Sequence, residues 1–547
     1  MAAGRRRRAM TPDVVVVGAG PTGLALACGL HRQGVPCRVL DHAPATSRSR
    51  AIGISPRSLE LLDELGVAAQ LVERGMPCRA ASFYSRGRRI GRMTFAAVAT
   101  RYPFTLALPQ SETERVLEQR LRQLGGAVER GSELTGLRDE PRGAGVRLRV
   151  RGPDGEREVA AEWVVGADGA RSAVRRLAGV DFVGEETGET FVNVDADLAG
   201  APLAGEGHYY FAREGMTVVV PLADGFCRVT ASLDEPAAAR ERPLSLDDVQ
   251  RIVAERLGPA VRIRALRDSG WGVARVHIRT RLATRFRAGR CLLAGDAAHL
   301  YGPMGGQGMN GGLQDAQNLA WRLALVATGR APEGLLDGYD AERRAVARGV
   351  LEAVQRQTRL ALLRSPIAIG ARDAAVRLAT RTGLLDRRVA PEVAQFATDY
   401  RGMPGIAPAR RSDRARRALG RRLPDVPLAD ADDGARSLFQ LLGGRPLTVL
   451  VLGARPTDAA ALRTLRSRLQ ARHGDLAALR VLAPAGAAGP RDRDGALHRH
   501  LAVAEPTACL VRADAHLAYR GPLNAPDALL AQLERTCGMS PQPAYRG

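Results

Sequence analysis

The chain has 547 residues, 45% hydrophobic and 4% aromatic, with a formal net charge of +22. That is enough for more than one buried core, and no apolar run reaches membrane-spanning length. All 80 basic residues are arginine, scattered among Asp and Glu with a single run at Arg5–Arg8, a pattern that argues against nucleic acid and for attraction of small anions such as a phosphorylated nucleotide.

The opening "MAAGRRRRAM" is basic, but the apolar run after it is too short and strand-like for a signal peptide, so a cytoplasmic protein is expected, with Met10 an alternative start. Residues 13–41 read "DVVVVGAGPTGLALACGLHRQGVPCRVLD". The β-branched run Val14–Val17 predicts a buried parallel strand. It feeds Gly18, Gly20 and Gly23, then a helix stopped by Gly34, then a second strand ending at Asp41. In this strand–turn–helix setting, Gly18 permits the tight turn, Gly20 lets a pyrophosphate approach and Gly23 lets helix and strand close up. The helix N-terminus favours phosphate, and Asp41 is placed to accept from a ribose. The fingerprint does not by itself separate NAD from FAD.

Further on, "VVGADGARSAVR" puts Asp168 and Gly169 in a turn between a strand and a helix. Residues 190–280 alternate with a period near two in five stretches, as an antiparallel sheet with one buried face requires. Then "RCLLAGDAAH" repeats the strand-to-turn pattern at Gly295 and Asp296. Asp296 with His299 has metal-pair spacing but no third ligand, and no metal is expected. The segment 295–312, "GDAAHLYGPMGGQGMNGG", holds seven glycines, which points to a backbone that comes very close to a ligand. A helix follows with Leu313, Ala316, Ala320, Leu323 and Ala327 at core-facing spacing.

A Pro-, Gly- and Arg-rich stretch at 401–424 reads as a linker. Beyond it strands and helices alternate again over 425–547. The seven cysteines (Cys28, Cys37, Cys78, Cys227, Cys291, Cys509 and Cys537) form no CxxC pair, so reduced, buried thiols are expected.

Three motifs in order, GxGxxG at Gly18–Gly23, Asp168-Gly169 and Gly295-Asp296, resemble those of the FAD-dependent aromatic hydroxylases, typified by p-hydroxybenzoate and phenol hydroxylase. The resemblance covers about residues 12–400. It implies an α/β fold: a Rossmann-type FAD domain (10–80, 110–185 and 281–400), an antiparallel sheet substrate domain (81–109 and 186–280) and, as in phenol hydroxylase and the polyketide hydroxylases, a C-terminal thioredoxin-like domain (425–547) without its redox dithiol. It implies that Arg50 and Gln110 reach the flavin, that Asp168 and Gly169 serve both FAD and NADPH, and that Asp296 bonds the ribityl chain. The loop Pro303, Gly305, Gly306, Gly308, Met309 and Asn310 would wrap the ring, with the following helix aiming its N-terminus at the flavin's pyrimidine edge. Tyr209, Tyr210, Met216 and Trp271 are candidates to line the substrate pocket.

The implied reaction uses FAD, NADPH or NADH, and O2. A flavin C4a-hydroperoxide hydroxylates a phenolic or polyketide-like aromatic molecule. The expected assembly is a monomer or homodimer without membrane or nucleic-acid partners. A Baeyer–Villiger oxygenase or epoxidase on the same scaffold stays open, as does a non-catalytic binder. A flavin halogenase does not, because it needs a lysine and a WxWxIP stretch that this chain lacks.

Overall fold

The computed structural model describes residues 14–43, 51–140, 145–201, 205–234, 244–267, 272–302, 304–408, 418–429, 436–443, 445–483 and 490–540. Arg50, Trp271, Pro303 and residues 409–417 of the expected linker lie outside the described residues.

The buried strand Val14–Val17 lies in a six-stranded sheet. The order is Arg287–Ala288, Cys291–Leu293, Trp163–Gly166, Val14–Val17, Cys37–Asp41 and Val128–Arg130, parallel except at the first pair. Strands covered on both faces read as continuous apolar runs, which is why "VVVV" and "CLL" stand out. Helix Pro21–Arg32 packs on helix Gln307–Ala327, close enough that an added Cβ on Gly29 would stand 2.9 Å from the Ala320 Cβ.

Leu313, Ala316, Ala320 and Leu323 are buried as the spacing predicts, and Ala327 is half-buried. The helix is not one-sided, however. Asp315, Asn318, Trp321 and Arg322 are buried as well, because helix Leu335–Ala361 and the C-terminal region close over the other side.

The middle of the chain builds a nine-stranded sheet. Its main path runs His299–Leu300, Ala274–Ala283, Phe182–Ala199, Cys227–Leu233, Gly215–Pro221, Glu206–Ala212, Ala80–Ser85 and Arg88–Thr94, with Arg262–Leu266 beside Phe182–Ala199. The five stretches read from the sequence are all strands here. One pair departs from the expected antiparallel pattern: Glu206–Ala212 runs parallel to Ala80–Ser85, which comes from far earlier in the chain. One face packs on helix Leu246–Leu257 through Val249 and Val253.

The C-terminal region carries a four-stranded mixed sheet ordered Ala477–Leu482, Leu447–Leu452, Thr507–Arg512 and Leu517–Pro522. The first pair is parallel and the others antiparallel, with helices Ala459–His473 and Pro526–Thr536. All seven cysteines are buried and unpaired, and burial pushes the Cys509 and Cys537 thiols up to about 12. Thiols held that far from ionisation are inert. No helix among the described residues is long and apolar enough to cross a membrane.

Candidate functional site

Three loop tips meet at one end of the six-stranded sheet. Val14–Val17, Trp163–Gly166 and Cys291–Leu293 are parallel neighbours, so the turns after them lie side by side at the carboxyl ends of the strands, where ligands bind in open α/β sheets. Backbone bonds lock them together. Ala167 N donates to Val17 O at 2.8 Å, and Ala294 N to Gly166 O at 2.9 Å.

The glycines of the first tip divide as the fingerprint requires. Gly18 sits at φ +106°, and a Cβ there would meet Ala167 O at 2.3 Å. A Cβ on Gly23 would meet Gly18 O at 1.9 Å, so helix and turn touch. A Cβ on Gly20 would have nothing within 4 Å, and Gly20 caps its helix without a side-chain hydrogen bond. The open side and the free N–H groups make a cradle that fits a pyrophosphate. Asp41 borders it: Oδ2 accepts from Ala19 N at 2.6 Å and Oδ1 from Ala43 N at 2.8 Å.

The second tip differs from expectation. Asp168 Oδ2 accepts from Ala173 N at 2.7 Å and Val174 N at 3.2 Å, capping the short helix Ala173–Leu177, while Oδ1 is buried with no hydrogen-bond partner among the described residues. Burial raises this carboxyl above its usual range. Asp168 is thus engaged in holding the tip, and Gly169, at φ +77° with nothing within 4 Å of an added Cβ, is the open part of the motif.

At the third tip, Gly295 (φ +61°) packs on Thr22, and its N–H donates to Asp315 Oδ2 at 3.0 Å. Asp296 is exposed, and an added Cβ on Gly308 would lie 3.8 Å from its Oδ1. Gly305 and Gly306 both adopt positive φ, +73° and +61°, and Gly306 starts the long helix with no side-chain cap and open space beside it. The helix N–H groups there have open space beside them, which favours negative charge.

Asn310 does not point outward. Its Nδ2 donates to Gly53 O and Gly306 O, and its Oδ1 accepts from Ser55 N at 2.8 Å. Met309 is half-buried against the main core. Gln110 accepts from Ala51 N at 3.1 Å and donates to Glu114 at 2.8 Å, tying down the segment that follows Arg50.

Beneath the loop lies a group that sequence reading missed. Asp315 Oδ2 meets His299 Nε2 at 2.6 Å, and Oδ1 accepts from Arg343 Nε at 2.7 Å. Burial alone would raise the Asp315 carboxyl, but His299 and Arg343 hold it below its usual value. His299 is thus a loop anchor, and no cluster among the described residues has a metal-ligand set.

Above the loop, the sheet corrects two substrate candidates. Side chains alternate across a strand, so Tyr209 and Tyr210 face opposite ways. Tyr209 shares a face with Phe83 (ring centroids 5.5 Å apart), whereas Tyr210 stacks on Tyr84 at 4.7 Å on the face covered by helix Leu246–Leu257. Met216 is on the Tyr209 face but only 1% exposed, packed with Phe191 and Ile278. The sheet is joined directly to the loop: Leu300 pairs with Arg281, and a Cβ on Gly302 would lie 3.6 Å from Ile278.

Residues 11–354 match the FAD binding domain family, and residues 416–540 match the aromatic-ring hydroxylase C-terminal family. The chain belongs to the FAD-dependent aromatic hydroxylases. It is 34% identical over 563 residues to 6-methylpretetramide 4-monooxygenase of Streptomyces rimosus, covering 96% of this chain and 93% of that one. It is 36% identical over 454 residues to the 12-dehydrotetracycline 5-monooxygenase/anhydrotetracycline 6-monooxygenase of Streptomyces rimosus subsp. rimosus, covering 81% and 86%. A solved ternary complex of aklavinone-11 hydroxylase with FAD and aklavinone has TM-score 0.77 and 28% identity to it, covering 97% of this chain and 100% of that one. As a family member, the enzyme is an FAD-dependent monooxygenase.

Proposed function

We propose that this monooxygenase uses NAD(P)H and O2 to hydroxylate a multi-ring phenol or quinone of the polyketide kind. The observation that carries the reading is that three strand-end tips of the six-stranded sheet lie side by side next to a glycine loop, which is itself joined to the inner face of the nine-stranded sheet. The relatives named for tetracycline-type substrates support the substrate class.

In this reading the Gly20 cradle and the N-terminus of helix Pro21–Arg32 hold the pyrophosphate of FAD, and Asp41 holds a ribose. Asp296 reaches the ribityl chain. Gly305, Gly306 and the first turn of helix Gln307–Ala327 would lie along the ring, with Gln110 at its side. When bound, the flavin supplies electron transfer and oxygen activation. The protein positions the aromatic ring against it and keeps water out. On the less buried sheet face, Phe83, Tyr209 and Val218 would supply apolar contact to the substrate ring.

For the domains the proposal keeps the division read from the sequence, with residues 425–547 as a thioredoxin-like unit, while strands Phe182–Ala199, Ala274–Ala283 and His299–Leu300 carry the substrate sheet past the bounds at 185 and 281. The order and directions of its sheet support that assignment, and its inert cysteines support a structural role.

The test is NAD(P)H oxidation by the purified yellow protein against a panel of polycyclic phenols and quinones. Acceleration by at least one of them, with a hydroxylated product, is the expected result. A chain purified with FAD that no aromatic compound accelerates contradicts the reading.

A further inference from the structure

The sheet face over the glycine loop is not packed as one core. Three separate apolar clusters touch it. One joins Phe191, Met216 and Ile278 to Val354 and Ala361; another joins Ala81 and Met93 to Leu385, Ala390 and Ala394; a third holds Cys78, Ala107 and Leu222.

Across this face runs one cross-strand row, in which Val218 packs against the first cluster and Tyr209 and Phe83 against the second. Asn193 pairs with Thr230, Thr230 with Val218, Val218 with Tyr209, and Tyr209 with Phe83. All five are half-buried, whereas Phe191, Ser232 and Met216 on one side and Asp195 and Arg228 on the other are buried. Phe211 and Val220, beside Tyr209 and Val218, are half-buried as well, so the less buried strip of this inward face is narrow at Asn193 and widens toward its aromatic end. From Asn193 to Tyr209 it spans three inter-strand spacings, roughly 14 Å, which suits several fused rings better than one.

The row is aromatic at one end and polar at the other. Thr230 Oγ1 donates to Asn193 Oδ1 at 2.6 Å. This fixes the amide, and Asn193 Nδ2 makes no hydrogen bond among the described residues. A half-buried donor without a partner on an otherwise apolar strip is matched by an acceptor on whatever fills the strip.

We propose that Asn193 Nδ2 donates to a ring oxygen of the substrate, a ketone, quinone or phenol, with Thr230 holding the amide in that orientation. Asn193 thereby sets which edge of a multi-ring ligand is presented to the flavin. The inference rests on the aromatic-monooxygenase reading and goes further by naming the recognised group.

The probes are alizarin, an oxygenated three-ring aromatic, and anthracene, the same skeleton without oxygen, with binding read from the flavin absorbance. Wild-type protein should bind alizarin more tightly. Asn193→Leu should weaken alizarin about tenfold and leave anthracene unchanged, with FAD content and melting temperature as in the wild type. Asn193→Gln, which keeps the donor, should recover part of the loss, and Thr230→Val should give a smaller loss than Asn193→Leu. Equal alizarin affinity in the wild type and Asn193→Leu overturns the proposal. A wild-type holoenzyme that binds neither probe overturns the substrate class, and a chain that purifies without FAD overturns the function beneath it.

Discussion

Gly20→Val is expected to fold normally and purify colourless, whereas Gly23→Ala, a smaller change three residues away, should fail to fold stably. The two glycines meet opposite surroundings. Gly20 has φ −74° and ψ 179°, a conformation any residue adopts, and nothing lies within 4 Å of an added Cβ. A valine there strains no backbone and strikes no protein atom. It fills the open space proposed above for the pyrophosphate. At Gly23 the new Cβ would lie 1.9 Å from Gly18 O, a backbone atom fixed by Gly18 N donating to Leu40 O at 2.7 Å. No rotamer relieves that clash, so helix Pro21–Arg32 must move off its sheet, at a cost of about 3 kcal/mol or more. The measurements are FAD released per chain on denaturation and the melting temperature. A Gly20→Val protein with full FAD would show that the open space is not the cofactor cradle.

Arg512→Ala should destabilise the enzyme by about 3–5 kcal/mol. Arg512 is 2% exposed and lies on the C-terminal sheet, yet its Nη1 and Nη2 donate to Glu342 of the long helix Leu335–Ala361 at 2.7 and 2.8 Å. It also donates to Asp514, with Nε to Oδ1 at 3.1 Å. Glu342 is fully buried and shared with Arg322 at 2.8 Å and Asn318 at 2.8 Å, both on the helix that starts at the glycine loop. Burial opposes the Glu342 charge, and Arg322 and Arg512 together keep its carboxyl below the usual range. Removing Arg512 leaves two buried carboxylates with less than their complement of positive charge, and that deficit, more than the lost contact, sets the size of the effect. Arg512→Met with Glu342→Met, which removes one charge of each sign, should be less damaging than the sum of the single changes. Guanidinium or thermal unfolding of the four proteins measures this. Additive losses would mean that the pair is not coupled. Because Asn318 and Arg322 belong to the flavin-side helix, FAD retention should fall alongside stability in Arg512→Ala.

The parts of this fold that could be read from the sequence are those with a local signature. "VVVVGAGPTG" states the strand, the turn and the close approach within ten residues, and each glycine sits in the surroundings its position demands. The long helix after Gly306 and the C-terminal alternation were legible for the same reason, since apolar spacing is a property of neighbours. What was hidden depends on residues distant in the chain. Asp315 faces His299 and Arg343, and Glu342 faces Arg512 from 170 positions away, so a charged residue inside an apolar stripe had no partner in view. Asp168 entered through the family motif, and that its Oδ2 also holds the start of the helix behind it could be seen only in the structure. Tyr209 and Tyr210 could have been separated beforehand, because neighbours on a strand never share a face. The row from Asn193 to Phe83 could not, since it exists only once the registers of five strands are known.

The central claim is that this chain transfers one atom of O2 to an aromatic ring using bound FAD. The most direct measurement is turnover with NAD(P)H and an accelerating polycyclic phenol under isotopically heavy O2 in ordinary water, followed by mass spectrometry of the product. The account predicts a hydroxylated ring carrying one heavy oxygen atom per molecule. A product whose new oxygen comes from water would contradict it.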